Sequence, residues 1–215
     1  MASFVSAGVP IRIDQQEPAA AGKHPGILLL HGSGGNVSLW FGRIAPQLAR
    51  LNLGLYGAHY FDRTGTVRAD RETVLDGYHF PAWQSTALDG VRYMRTRPSI
   101  DPDRIALLGI SLGGFLALSI AADQSARIRA VVEISAGMPE PAEPLVGPSY
   151  PPTLILHGDQ DDVVPVTMAH RLDGLLARHR VPHQTVVLPG QGHWFDTTAQ
   201  LQVLMATAGF LASHL

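Results

Sequence analysis

Short apolar runs alternate along this chain with longer segments in which apolar residues recur at the spacing of a helix. The runs at residues 27–30, 104–108 and 128–134 predict strands of a buried sheet. An amphipathic helix is predicted between Pro81 and Pro98. Strands that alternate with helices in this way are typical of an α/β protein, with a mostly parallel central sheet flanked by helices on both faces.

Other segments add detail to this pattern. Residues 4–13 predict a β-hairpin that turns at Ala7-Gly8, and residues 53–61 predict another strand. Pro46 interrupts a helical pattern, so we expect that helix to start at Pro46 or to be kinked there. Two final helices are predicted from their apolar positions, which are Ala169, Leu172 and Leu176 in one and Leu201, Leu204, Ala208 and Leu211 in the other.

Length and composition favour a single domain spanning residues 1–215. The chain has 215 residues, of which 46% are hydrophobic, and this is enough for a substantial core. A formal net charge of −2 provides no basic surface, so we expect no nucleic-acid partner. The sequence contains no cysteine, which excludes thiol nucleophiles, disulfides and cysteine-based zinc sites.

The sequence carries no pattern typical of membrane insertion or export. No apolar run approaches the ~18 residues that a membrane span requires. The N-terminus lacks a charged region followed by an apolar segment, so no signal peptide is predicted. We therefore expect a cytoplasmic protein without a membrane partner.

The pentapeptide at residues 109–113, Gly-Ile-Ser-Leu-Gly, is the most informative motif. It follows a predicted strand and opens a predicted helix, which is the context of a nucleophile elbow. The turn is so tight that the neighbours of the serine must be small, and it lifts the serine hydroxyl clear of the sheet. The motif therefore predicts that Ser111 is a nucleophile whose hydroxyl a base can reach at the edge of the sheet.

Two further motifs follow in the order serine, aspartate, histidine that the elbow predicts. One strand-like run ends in His-Gly-Asp-Gln-Asp-Asp-Val-Val-Pro at residues 157–165, and another leads to Gly-Gln-Gly-His at residues 190–193. Together with the strand end at His31-Gly32, these motifs resemble the α/β-hydrolase family, and within it the small dienelactone-hydrolase-like and carboxylesterase-like members. The resemblance covers nearly the whole chain and implies an α/β-hydrolase fold.

The resemblance also implies a catalytic triad of Ser111, Asp161 and His193. Ser111 would be the nucleophile, His193 the base, and the aspartate would fix the tautomer of the histidine. Three aspartates compete for the last role, and the family pattern His-Gly-x-x-Asp selects Asp161. Asp159 and Asp162 are expected to bond turn amides or to face solvent.

The glycine-rich segment at residues 31–36 follows the first central strand. In the family that the chain resembles, a backbone N–H from this loop and the one after the nucleophile hold the oxyanion of the tetrahedral intermediate. These donors correspond to Ser33 and Leu112. Two other interpretations stay open, a phosphate-binding loop and a structural glycine turn. The phosphate loop is disfavoured because Val37 breaks the Gly-x-Gly-x-x-Gly pattern and no Walker lysine follows.

Aromatic residues occur in segments expected near the carboxyl edge of the sheet, where ligands bind in open α/β proteins. Trp194 and Tyr60 are the candidates for substrate binding, Trp194 because it follows the predicted base directly. Arg63 and Arg68 could meet a substrate carboxylate, although solvated loop arginines are the favoured interpretation.

His157 is expected to support the loop that carries Asp161. The histidines show no metal-ligand spacing, so neither a metal nor a cofactor is expected.

The segment at residues 136–152 is rich in proline, which disfavours a helical cap and predicts an open site with a short acyl pocket. Dienelactone hydrolases use a cysteine nucleophile, so ordinary esters or lactones are favoured over dienelactone. We therefore predict a serine hydrolase that cleaves a small-molecule carboxylic ester or lactone through an acyl-enzyme. Two alternatives stay open, a biosynthetic acyltransferase or cyclase with the same triad and a non-catalytic binding protein on the same fold.

Overall fold

A computed structural model describes residues 2–48 and 51–215 of the chain. Its centre is one eight-stranded sheet with the order β1-β2-β4-β3-β5-β6-β7-β8. The strands are β1 (Ala2–Ser6), β2 (Val9–Gln16), β3 (His24–Leu30), β4 (Gly54–Ala58), β5 (Ile100–Ile110), β6 (Ala130–Ile134), β7 (Thr153–Gly158) and β8 (His183–Leu188).

The first two strands form the antiparallel edge of the sheet. They pair as a hairpin that turns at Ala7-Gly8, and β2 then pairs antiparallel with β4. Every pairing from β4 through β3 to β8 is parallel. The prediction of a mostly parallel sheet is therefore confirmed, and the carboxyl ends of its parallel strands meet at one edge.

Helices cover both faces of the sheet. They are α1 (Val37–Leu48), α2 (Arg71–Leu75), α3 (His79–Arg95), α4 (Leu112–Ala122), α5 (Thr167–Arg178) and α6 (Thr197–His214). Because side chains alternate along a strand, Leu28 and Leu30 face one core, whereas Ile27 and Leu29 face the other. The first core packs against α3, α4 and α5, and the second packs against α1 and α6.

The structure corrects the predictions for two helices. The alternative that α1 starts at Pro46 is wrong, because the helix contains this proline, and Ala45 and Leu48 beside it are buried. Their packing against the sheet offsets the one backbone hydrogen bond that proline cannot donate. Helix α6 does not bury Leu201, which is 57% exposed. Its buried positions are Ala199, Val203, Thr207, Phe210 and Leu211.

Two connections complete the frame around the candidate site. The strand predicted at residues 53–61 ends at Ala58, and a short 3₁₀ helix covers Tyr60–Arg63. Between β6 and β7 the chain forms only a 3₁₀ helix at Glu140–Leu145. That segment packs Ala142 into the first core, beside α4, and it does not form a helical cap over the site. No helix in the described residues is long and apolar enough to cross a membrane.

Candidate active site

Ser111 lies on the sharp turn between β5 and α4. Its backbone has φ 53° and ψ −121°, a conformation that L-residues rarely adopt. The flanking glycines allow the turn, because a Cβ at Gly113 would overlap the carbonyl oxygen of Leu30, and one at Gly109 would overlap the backbone of Gly113. The Ser111 amide donates to the carbonyl of Ile134 at 2.8 Å, which fixes the turn to the end of β6.

Three polar side chains meet at the carboxyl edge of the sheet. Ser111 follows β5, Asp161 lies in the loop after β7, and His193 lies in the loop after β8. His193 Nε2 is 3.0 Å from Ser111 Oγ, and its Nδ1 is 2.8 Å from Asp161 Oδ2. All three residues are buried. A continuous hydrogen-bonded chain therefore runs from the carboxylate through the imidazole to the hydroxyl.

The backbone of the loop after β7 holds the carboxylate of Asp161 in place. Its Oδ1 accepts hydrogen bonds from the amides of Val163 at 2.9 Å and Val164 at 2.8 Å, which leaves Oδ2 for the imidazole. The other two aspartates of this loop do not contact His193. Asp159 Oδ1 accepts from the Gly190 amide at 2.7 Å, and Asp162 is exposed.

His157 lies behind this carboxylate. Its Nε2 is 2.8 Å from the carbonyl oxygen of Val164 and 3.4 Å from Asp161 Oδ2. Burial lowers the pKa of His157 below its usual value, so the neutral ring donates its Nε2–H to the Val164 carbonyl. His157 therefore supports the loop that carries Asp161 and makes no hydrogen bond with Ser111 in the described residues.

The loop after β3 approaches Ser111 from the other side. A Cβ at Gly32 would lie 3.4 Å from the Ser111 Cβ, so the backbone here is close to Ser111. Within residues 2–48 and 51–215, the amides of Ser33 and Leu112 donate to no protein acceptor. The Ser33 carbonyl accepts from the Ala69 amide at 2.9 Å, which anchors the loop. The residues next to Gly32 and next to Ser111 in the chain thus each carry a backbone N–H without a protein acceptor in the described segments.

Tyr60 does not line the site, and its expected role in substrate binding is not supported. The side chain is fully buried and stacks on His31 with ring centroids 4.0 Å apart. Its hydroxyl donates to the His31 carbonyl at 2.6 Å, while His31 Nδ1 is 2.7 Å from the Gly32 carbonyl. Burial lowers the pKa of His31 to about 4, so this ring is neutral and donates to Gly32. Tyr60 therefore positions the loop that carries Ser33.

An open cavity of about 910 Å³ contains Ser111 and His193 in its wall. Trp194 also lines it, as expected, and is 64% exposed. The indole stacks on Trp40 with ring centroids 5.9 Å apart, so the two tryptophans form one side of the mouth. Arg68, interpreted from the sequence as solvated, contributes to the wall, whereas Arg63 is not among the lining residues.

Two ionisable residues near the site were not predicted from the sequence. Arg43 from α1 lines the cavity, and its guanidinium lies 5.5 Å from the centre of the Trp40 ring. Glu133 is fully buried on β6, where its Oε2 accepts from the Ala136 amide at 2.9 Å. Burial raises the pKa of Glu133 to about 8. The signal for Glu133 was a single acidic residue in an otherwise aliphatic strand.

Possible metal ligands do not cluster in the part of the chain that the structure describes. No group of three or more His, Cys, Asp or Glu side chains there could hold a metal ion. The site is therefore built from a hydroxyl, an imidazole, a carboxylate and backbone amides. Such a set can move a proton from the hydroxyl to the ring and place the oxygen against an electrophilic carbon.

The chain is similar in sequence to a curated relative and in fold to solved structures. An uncharacterized protein of Mycobacterium tuberculosis is 25% identical over 193 residues, which cover 81% of this chain and 64% of that protein. The chain thus spans less than two thirds of the length of this curated relative. Two of the solved structures that share the fold are 20% and 19% identical in sequence to this chain.

The first is Est1E from Butyrivibrio proteoclasticus, in a structure with ferulic acid bound, at a TM-score of 0.79 and 20% identity, covering 100% of this chain and 99% of that one. The second is the dienelactone hydrolase from Anabaena variabilis, at a TM-score of 0.76 and 19% identity, covering 100% and 96%. Residues 14–208 match the dienelactone hydrolase family. The chain therefore belongs to the dienelactone hydrolase family.

Proposed function

We propose that this protein is a serine hydrolase that cleaves a carboxylic ester or lactone through an acyl-enzyme intermediate. The observation that carries the proposal is the hydrogen-bonded chain from Asp161 through His193 to Ser111, which opens into the cavity. Membership of a hydrolase family supports the same reaction class. A binding protein would require neither this chain of hydrogen bonds nor a strained serine.

In the proposed mechanism, Ser111 Oγ attacks the acyl carbon while His193 Nε2 accepts the hydroxyl proton. Asp161 receives the Nδ1–H bond and stabilises the imidazolium that forms. His193 then returns the proton to the leaving alcohol, and the carbon–oxygen bond breaks. A water molecule, activated by the same imidazole, attacks the acyl-enzyme and releases the acid and the free serine.

The amides of Ser33 and Leu112 are proposed to hold the oxyanion. Both N–H groups are free of protein acceptors within the described segments, and Leu112 is the first residue of α4. Its amide therefore belongs to the positive end of the helix dipole. Donors of this kind stabilise charge that develops only in the transition state, and removing one costs about 10²–10³ in kcat in a serine protease.

The test compares Ser111→Ala with Ser119→Ala on p-nitrophenyl acetate. Ser119 is a buried serine of α4, the helix that follows Ser111, and does not line the cavity, so it controls for the loss of a buried hydroxyl. We expect Ser111→Ala to lower kcat by about 10⁵–10⁶, as in other triad enzymes, and Ser119→Ala to retain it. Equal activity of the two variants would contradict the covalent mechanism.

A second measurement separates hydrolysis from acyl transfer. The products are identified by mass spectrometry in the presence and absence of an added alcohol. For a hydrolase we expect the free acid as the main product. If the alcohol ester forms in preference to the acid at low alcohol concentration, the protein is an acyltransferase that uses the same serine.

A further inference from the structure

The cavity at Ser111 extends well beyond the three polar side chains. It runs over the face of the sheet between α1 and α6, and its floor includes Leu108 and Ile110 of β5 and Ile134 of β6. A volume of about 910 Å³ is near the upper end of the roughly 300–1,000 Å³ of small-molecule sites. The short acyl pocket expected from the sequence would occupy only a fraction of this space.

Aliphatic side chains of both helices line much of this α1–α6 cleft. Helix α1 contributes Leu39 and Ile44, and helix α6 contributes Leu201, Val203 and Leu204. Leu39 and Leu201 are 51% and 57% exposed, so large apolar side chains remain open to solvent at the mouth. Exposed apolar surface that continues into a catalytic cavity is typical of a ligand-binding groove.

Polar residues also line the cleft, among them Arg43, Gln47, Gln200 and Thr207, and Thr207 is the one of these four that is buried. Thr207 of α6 lines the cleft and is only 3% exposed, yet its hydroxyl has no hydrogen-bond partner in the described part of the chain. A threonine inside a helix usually bonds the carbonyl one turn earlier. A buried hydroxyl without such a bond is satisfied by water or by an atom of a ligand.

We propose that the substrate is an ester with a long apolar arm and that this arm lies in the α1–α6 cleft. Leu201 and Leu204 are the residues that set the length of the arm. The inference rests on the proposed ester hydrolysis, because the cleft is continuous with Ser111 and His193 in one cavity. The arm replaces water that the empty cleft would hold, and the reacting carbonyl stays between the serine and the loop amides.

The expected size of the effect follows from the apolar area that each carbon removes from water. Every methylene buried in the transition state should raise kcat/KM about fourfold for as long as the cleft has room. Thr207 works against a plain alkyl arm, because such an arm displaces water without replacing its hydrogen bond. Thr207→Val should therefore increase the preference for a long alkyl chain by about fivefold.

The experiment measures kcat/KM for p-nitrophenyl acetate, butyrate, octanoate and laurate, below the concentrations at which they form micelles. A matched series of alkyl acetates carries the same chains on the alcohol side. The variants are Leu204→Trp, which fills the cleft, Thr207→Val, and Gln202→Trp as the control. Gln202 is exposed on the same helix and does not line the cavity.

We expect kcat/KM of the wild type to rise from acetate to octanoate in one of the two series. Leu204→Trp should lower the octanoate-to-acetate ratio by at least about tenfold, since the indole occupies the space of several methylenes. Gln202→Trp should keep the wild-type ratio, and Thr207→Val should raise it. Thermal unfolding of each variant shows that the fold is retained.

Different failures have different meanings. Ser111-dependent hydrolysis with no preference for long chains in either series, or with a preference that Leu204→Trp does not change, would overturn the arm proposal and leave ester hydrolysis standing. A rate increase only above the micellar concentration would assign the preference to the exposed apolar rim and a lipid surface, and would also overturn it. If the wild-type protein hydrolysed no ester of either series, both proposals would be refuted.

Discussion

Replacing Asp161 with asparagine tests the role of the carboxylate more sharply than deleting the side chain. Oδ1 of Asp161 accepts two backbone hydrogen bonds, from the amides of Val163 and Val164. In Asp161→Asn these amides require the carbonyl oxygen of the new side chain, so its NH₂ group must face His193 Nδ1. The imidazole then has to accept at Nδ1 and carry its proton on Nε2, towards Ser111.

The magnitude follows from this change of tautomer. With the proton on Nε2, His193 cannot accept the proton of Ser111, although every heavy atom can stay in position. The equivalent replacement in a serine protease lowers kcat about 10⁴-fold, which corresponds to about 5.5 kcal/mol of transition-state stabilisation. We expect a loss of this order for Asp161→Asn, with little change in KM.

The assay is steady-state hydrolysis of p-nitrophenyl acetate, with thermal unfolding as the check on folding. Asp159→Asn is the matched control, because its carboxylate accepts a single amide bond from Gly190 and does not contact His193. That variant should retain kcat within a few fold. If Asp161→Asn kept more than a tenth of the wild-type kcat, or if Asp159→Asn were the inactive variant, the assignment of the acid would be wrong.

Three further predictions concern the support of the site. Gly113→Ala should destabilise the fold by about 3 kcal/mol or more, because its Cβ meets β3 backbone, whereas Gly209→Ala, with open space around it, should not; urea unfolding compares them. Tyr60→Phe leaves the buried His31 carbonyl without its donor, so stability should fall by about 1–3 kcal/mol and kcat should fall more than KM changes. The pKa of Glu133 is raised from 4.5 to about 8, so the folded state binds the extra proton and the contribution of Glu133 to stability should fall as pH rises across that window, with a slope of up to about 1.4 kcal/mol per pH unit. Glu133→Gln should flatten this slope in urea titrations at several pH values, and an unchanged slope would contradict the burial argument.

The sequence predicted those parts of the site that depend on local backbone chemistry. The glycines around Ser111 are required by a turn that admits no side chain there, so the elbow was visible in five consecutive residues. Asp161 and His193 lie in the loops that follow β7 and β8, and parallel strands bring their carboxyl ends to one edge. The fold class followed from the same alternation of strands and helices.

The lining of the cavity at Ser111 was not predictable in the same way, because it depends on how elements far apart in the sequence pack together. Leu201 and Leu204 fit an apolar helical face, yet they line a cleft whose opposite wall comes from α1. Tyr60 follows a strand of the parallel sheet, which made it a candidate for substrate binding, but it stacks on His31 and is buried behind the loop that carries Ser33. Tertiary packing also overrides a local signal at Pro46, because the buried neighbours of this proline keep it inside a helix that proline alone would interrupt.

The most direct test of the central claim is to trap the acyl group on the enzyme. The protein is mixed with p-nitrophenyl acetate, quenched in acid within the first turnovers, digested and analysed by mass spectrometry. We predict an acetyl group on Ser111 in the wild type, with greater accumulation in any variant that slows deacylation, and no such adduct in Ser111→Ala. Rapid hydrolysis by the wild type with no label on Ser111, or with the label on another residue, would contradict the account.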